Sequence, residues 1–203
     1  MKITEHIDLI DGTMANCYSV RLGENTVLID AGMKGSAKKI IMYYNEKKAK
    51  PEIILITHYH PDHVGGLHIL TEEFKPDVFV PDREVDVITG KAKPVPARSI
   101  MSHIVAGMAR ITPVGSVKSA SELKIDGIHV VETPGHTPGS TSYYVEEDDA
   151  LFVGDAVNNT RNGLQINKGF TLNLKEAEKS RQIIMEHEAK LILPGHGPPY
   201  HKK

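Results

Sequence analysis

The chain has no tryptophan, four phenylalanines and a single cysteine, Cys17, among its 203 residues. One thiol can form neither an intramolecular disulfide nor a multi-thiolate cage, so crosslinks and four-cysteine zinc sites are excluded as organising elements. Within its apolar, strand-like stretch Cys17 reads as a small buried hydrophobe. Long apolar runs are missing as well. None approaches the roughly 18 residues that a membrane-spanning helix needs, and the opening MKITEHIDLIDGT interrupts its few apolar residues with charges where a leader would be continuously apolar. The expectation is a protein without a membrane span, working in the cytoplasm. Charge of one sign is absent too: 24 basic against 26 acidic side chains leave a net charge of -2, with no Lys/Arg run longer than a pair. Nucleic acid is therefore not the expected partner, and a small molecule is.

With 40% hydrophobic and 25% charged residues, the chain has the balance of a soluble globule with a sizeable core. Its length suits one domain, or a domain of two fused halves spanning 1–203. Apolar runs bounded by Gly, Asn and Asp predict strands over 17–20, 26–30, 53–56, 78–80, 128–132, 143–145, 150–153 and 191–193. Helical spacing predicts helices over 37–48, behind Ser36 as N-cap, over 67–74 and over 175–187. Such alternation places helices outside sheets. NTVLIDAG at 25–32 and DALFVGDA at 149–156 echo each other, each an apolar strand ending in Asp-Ala, which predicts a duplicated architecture. Residues 81–123 are the least regular part. Within them Ile100, Met101, Ile104, Val105, Met108 and Ile111 recur at helical spacing, as in a core-packed helix, a lid or a subunit contact that would make a homodimer.

Eleven histidines are the one excess. His58 and His60 stand two apart, so on extended chain both rings point the same way and can bind one metal ion. Pro61 restricts the chain before Asp62 and His63, and a sharp turn there aims these two side chains at a second point nearby. Gly65 and Gly66 then allow close backbone packing beneath the loop. Three more ligand candidates each follow an apolar strand: His136, Asp155 and His196, where loops carry chemistry in alternating folds. Five histidines and two aspartates suit two divalent ions such as zinc, and iron or manganese is compatible with a set lacking thiolate.

From LIDAG through THYHPDHVGG, TPGHTPGS and VGDA to PGHGPP, the chain resembles the metallo-β-lactamase fold superfamily, and within it the glyoxalase II-related hydrolases. The resemblance implies an α+β fold, a four-layer αββα sandwich of two pseudo-symmetric halves with the site at one edge. It implies that His58, His60 and His136 hold one ion, that Asp62, His63 and His196 hold another, and that Asp155 bridges them. It also places Asp30 of LIDAG beneath the metal loop, where its carboxylate can steady a backbone or an imidazole N–H. True β-lactamases of this fold carry cysteine or serine at the position matched by Asp155, which speaks against antibiotic hydrolysis. Glyoxalase II proper adds a basic C-terminal helical region for glutathione, whereas seven residues follow His196 here, which speaks against glutathione thioesters.

The reading that follows is a dinuclear hydrolase in which a metal-bridging hydroxide cleaves an ester-like bond, thioester or lactone, with Asp62 as the catalytic carboxylate that orients the nucleophile and passes a proton. The alternatives are a mononuclear-iron sulfur dioxygenase using the positions of His58, His136 and Asp155, a phosphodiesterase or nuclease, and a non-catalytic metal-binding scaffold. Residues 158–174 are expected to help wall the pocket, with Arg161 and Lys168 placed to meet an anionic substrate. Tyr59 and Thr137 flank ligands, where they could touch substrate or support the ligands, but neighbouring positions in such loops usually point away.

Overall fold

The computed structural model describes residues 1–95 and 111–202. Strands β1 (Ile7–Leu9), β2 (Tyr18–Leu22), β3 (Asn25–Ile29), β4 (Ile53–Leu55), β5 (Asp77–Val80) and β6 (Lys118–Ser119) form one sheet in that order. A second sheet runs β13 (Tyr200–His201), β12 (Leu191–Pro194), β9 (Ala150–Gly154), β8 (Thr141–Val145) and β7 (Ile128–Glu132), while β10 (Asn158–Thr160) and β11 (Gly163–Gln165) form a separate hairpin. The helices are α1 (Ala37–Lys47), α2 (Pro61–Val64), α3 (Leu67–Phe74), α4 (Val85–Ile88) and α5 (Leu174–Glu186).

Period-two alternation builds the layers. Val27, Ile29 and Leu55 of the first sheet face Tyr143, Phe152, Leu191 and Leu193 of the second, and this cluster is the filling between the sheets. The alternate residues Leu28, Ile54, Val78 and Val80 pack outward on Ile40 and Tyr44 of α1 and on Leu67 and Leu70 of α3. On the other side Leu151, Val153 and Ile192 pack on Ile184 of α5. Central strands buried on both faces read as unbroken apolar runs, which is why ALFV and LIL carry no polar alternation. The result is the expected four-layer αββα sandwich.

The duplication is real at the level of topology. In the first half β1, β2 and β3 form an antiparallel meander and α1 crosses to β4, parallel to β3. In the second half β7, β8 and β9 repeat the meander and α5 leads to β12, parallel to β9. Asp30 and Asp155, the residues that directly follow β3 and β9, are therefore equivalent positions in the two halves.

Several expectations are corrected in detail. Ser36 does not cap α1 with its side chain. It lies at the end of a 3-10 turn, Lys34–Ser36, already in right-handed helical backbone, whereas a capping residue is extended. Asn173 does meet that requirement, and its side chain accepts from the Lys175 and Glu176 amides at the start of α5. The strand expected to reach Asp30 stops at Ile29, because Asp30 turns into the left-handed region at φ 61°. The 158–174 stretch begins with the β10–β11 hairpin and lies beside the cluster as expected, its Asn159 and Leu172 amides donating to the His196 and His136 carbonyls. The helix expected over 100–111 lies outside the described residues except Ile111, which packs on the α1–α3 side of the core. Cys17 is buried as expected. Among the described residues no helix is long and apolar enough to cross a membrane.

Phe152 sits in the middle of the inter-sheet layer, edge-on to Tyr18 with ring centroids 5.2 Å apart. Phe152→Ala is expected to lower unfolding free energy by about 3–5 kcal/mol, read as a lower urea midpoint with an unchanged slope.

Candidate metal centre

The parallel strands of both sheets deliver their C-terminal loops to one edge of the sandwich. After β4 the chain bends at Thr57 and is extended at His60, with φ -63° and ψ 144°, and the rings of His58 and His60 lie with centroids 4.7 Å apart. Pro61 then opens α2, a single turn that turns Asp62 and His63 toward a second point. The two glycines that follow are needed for contact. A Cβ on Gly65 would lie 2.3 Å from the Pro61 carbonyl oxygen, and one on Gly66 the same distance from that of Ala31. His136 comes from the loop between β7 and β8, Asp155 directly follows β9, and His196 follows β12.

These loops bring all seven candidates together. Two trios have ligand atoms within 4.8 Å of one another: His58, His60 and His136, and Asp62, His63 and His196. Asp155 lies between them, forming a third such group with His58 and His63. Its Oδ2 is 3.5 Å from Nε2 of both His136 and His196, and its Oδ1 is 3.4 Å from His63 Nε2. His58, His63, His136 and Asp155 are buried, while His60, Asp62 and His196 are half-buried at the mouth.

Asp30 supports this cluster from below in both of the expected ways. Its Oδ1 accepts from the Thr57 amide at 2.8 Å, and its Oδ2 accepts from the Thr57 hydroxyl at 2.8 Å and from His63 Nδ1 at 2.7 Å. With its proton given to Asp30, the Thr57 hydroxyl is left to accept from His58 Nδ1 at 3.1 Å. Both hydrogen bonds put the imidazole proton on Nδ1 and leave Nε2 of His58 and His63 facing the cluster. His136 is held from its own side, its carbonyl accepting from the Leu172 amide and its Nδ1 lying 3.5 Å from the Thr171 hydroxyl.

Electrostatics divides the cluster. Burial, reinforced by the neighbouring rings, pushes His58 well below the usual imidazole range and takes His60 down to about 3. Burial also lowers His136. Burial opposes charge on His63 too, but Asp30 and Asp155 outweigh it and raise that ring well above the usual value. Asp155 is lowered despite its burial because His63, His136 and His196 surround it, and Asp62 is brought to about 2 chiefly by its hydrogen bond with His196.

A cation fits what is left unmatched. His58 Nε2, His63 Nε2 and Asp155 Oδ1 are buried without a hydrogen-bond partner among the described residues. Orphaned buried polar atoms are rare and costly, and three of them converging with four more imidazole and carboxylate groups make a donor set for borderline-soft divalent ions.

The remaining sequence candidates are not among the clustered ligand groups. Tyr59 and Thr137 are buried and turned from the cluster, Tyr59 into the α1–α3 core and Thr137 toward Glu84. Arg161 and Lys168 are exposed, Arg161 in the β10–β11 turn. Sequence reading missed three supporting residues. Thr57 stands beside His58 and is visible only once Asp30 is seen to reach it. Asn16 donates to the Pro194 and Gly197 carbonyls that flank His196, at 2.9 and 2.8 Å. Glu84, buried just after β5, carries no local signal in its irregular surroundings.

Comparison with known proteins agrees with this geometry. A family model for the metallo-beta-lactamase superfamily matches residues 10–196. The chain is 32% identical to the uncharacterized protein YobT of Bacillus subtilis over 90% of this chain and 82% of that one. It is 30% identical to the probable metallo-hydrolase YflN of the same organism over 92% and 81%. Similarity to the hydroxyacylglutathione hydrolase of Nitrosomonas eutropha, at 31% identity, covers 61% of this chain and 40% of that protein. Among solved structures, TTHA1623 in a di-iron-bound form superposes with a TM-score of 0.76 at 25% identity, over 96% of this chain and 93% of that one.

The raised His63 yields a prediction with a definite sign. In the metal-free chain its folded-state value lies above the unfolded one, so its stabilising effect is fully present below the ordinary imidazole value and is lost as pH rises through the raised value. A ring raised in this way keeps its second proton to higher pH than a free imidazole, and that proton must leave before Nε2 can bind a cation, so cation binding is expected to release protons and to tighten as pH rises. Calorimetry in buffers of different protonation enthalpy measures this, and Asp30→Asn is expected to reduce the number released.

Proposed function

The chain belongs to the metallo-beta-lactamase superfamily, and from that premise we propose that it is a dinuclear metal-dependent hydrolase of ester-like bonds, with thioesters and lactones as its substrate class. The observation that carries the reading is the pair of ligand trios with Asp155 between them. His58, His60 and His136 would hold one divalent ion, Asp62, His63 and His196 the other, and Asp155 would be shared; zinc suits the set, as do iron and manganese. When bound, such ions supply Lewis acidity and lower the pKa of water.

The chain's own part is to orient and to move a proton. The neutral rings of the first trio leave a substrate carbonyl facing no competing positive side chain, while Asp155, held ionised, balances the charge beneath. Asp62 is ionised at neutral pH and half-exposed at the mouth, so its carboxylate is placed to take the proton of the attacking water as the water oxygen adds to the acyl carbon. The same proton leaves with the alkoxide or thiolate as the C–O or C–S bond breaks, and no serine or cysteine nucleophile is required. Similarity to a hydroxyacylglutathione hydrolase, confined to part of each chain, supports a thioester among the first substrates to try.

A panel of thioesters, lactones, phosphodiesters and a β-lactam, assayed with zinc, manganese and iron, tests this. Turnover of a thioester or lactone is expected. Asp155→Ala is expected to lower kcat/KM by about a hundredfold or more, and Asp62→Asn to lower kcat by about 10²–10⁴-fold. Oxygen consumption by an iron-loaded chain, with no hydrolysis of the panel, would replace the reading with a dioxygenase.

A further inference from the structure

Outside the seven candidates another carboxylate is fully buried. Glu84 follows β5, which lies parallel to and beside β4, so its short 3-10 turn ends at the same edge of the sheet as the metal loop. An ionisable group in such a place is costly unless its hydrogen bonds repay it. Its Oε1 accepts from the Thr137 hydroxyl in a short hydrogen bond and from the Gly139 amide at 3.0 Å. Its other oxygen, Oε2, is buried without a hydrogen-bond partner among the described residues.

These partners are not scattered. Thr137 stands next to His136, and Glu84 follows the strand beside the one that leads to His58 and His60, so one side chain ties the His136 loop to the sheet edge that supplies the rest of the first trio. The loop is fitted closely against it: a Cβ on Gly139 would lie 2.6 Å from Glu84 Cγ. Behind Thr137 the bonding is directional. Its hydroxyl gives its proton to Glu84 and accepts from the Ser140 hydroxyl at 2.7 Å, whose oxygen accepts in turn from the Thr137 amide at 2.9 Å. A glutamine of equal volume would fill the space without the charge, so packing alone does not call for a carboxylate here.

We infer that Glu84 is a positioning residue that holds the His136 loop against the sheet edge after β5, and so sets the affinity of the first trio for its cation. The inference rests on the reading of that trio as a metal site. Glu84 touches neither cation nor substrate; it acts through Thr137 and Gly139.

Cobalt(II) binding, followed by visible absorption, tests this without turnover. In a His196→Ala background, which breaks the second trio, Glu84→Ala is expected to weaken cobalt binding by about 10–100-fold, the usual cost of losing a group that orients ligands. Glu84→Gln, which can still accept from Thr137, is expected to fall between. In a His60→Ala background, which breaks the first trio, the same substitution is expected to change affinity by less than about threefold. Thr137→Val is expected to weaken the first site in the same sense, and to add nothing to Glu84→Ala. Should Glu84→Ala not fold, Thr137→Val carries the same two-background comparison. Equal weakening in both backgrounds, or none in the first, would overturn the inference while leaving the metal site standing. Failure of the unsubstituted chain to bind cobalt would overturn the metal reading and this inference with it.

Discussion

One imidazole, His63, ties the two halves of the molecule together. Its Nδ1 is 2.7 Å from Asp30 Oδ2 and its Nε2 is 3.4 Å from Asp155 Oδ1. Those aspartates directly follow equivalent strands, β3 in the first sheet and β9 in the second. A buried ring between two buried carboxylates can sit in one place only, and its position fixes how the sheet edges meet. Asp30 extends the constraint through Thr57 to the start of the metal loop. The geometry costs backbone strain: Asp30 adopts φ 61°, in the left-handed region. Such a conformation is uncommon outside glycine, although aspartate tolerates it better than most residues. Gly154 has φ 49°, and a Cβ there would lie 2.5 Å from the Thr57 hydroxyl. Both departures from ordinary backbone lie directly at the cluster, where the surrounding packing can hold them.

The chemistry follows from what each sheet delivers. The first trio consists of imidazoles kept neutral by burial, and the second mixes two imidazoles with Asp62, while Asp155 stands between them with its charge retained by the surrounding rings. The first trio is thus an all-imidazole donor set and the second carries one carboxylate, with Asp155 between them, a combination suited to divalent cations. The supporting bonds come from different elements for each segment: Asp30 for His63 and Thr57, Glu84 for Thr137, and Asn16 for the loop around His196. The cluster is thus fixed from three directions by groups that do not themselves face it.

Most of the layered core could be read from the chain because apolar runs such as ALFV and LIL have one physical solution, burial on both faces of a central strand. The expected bounds of α3 and β7 match those observed, since an apolar stripe and flanking turn residues mark both ends. The cluster was legible for a different reason: histidines and an aspartate packed into six residues have no other driver. What sequence did not reveal shares one property, dependence on contacts far along the chain. Edge strands β1 and β13, of three and two residues, have too little length for alternation to show. Glu84 acquires its role only because β5 lies beside β4, and Thr137 lies 53 residues away from it. Asn16 meets Pro194 across 178 residues. Local pattern carries no trace of such pairings.

The central claim, two cations sharing Asp155 at the edge where the halves meet, is tested most directly by anomalous diffraction from crystals of the zinc-loaded chain. The account predicts two anomalous peaks about 3.5–4 Å apart, the usual spacing of two-metal sites, one against His58, His60 and His136 and the other against Asp62, His63 and His196, with the Asp155 carboxylate between them. A single peak, or peaks away from Asp155, would contradict it.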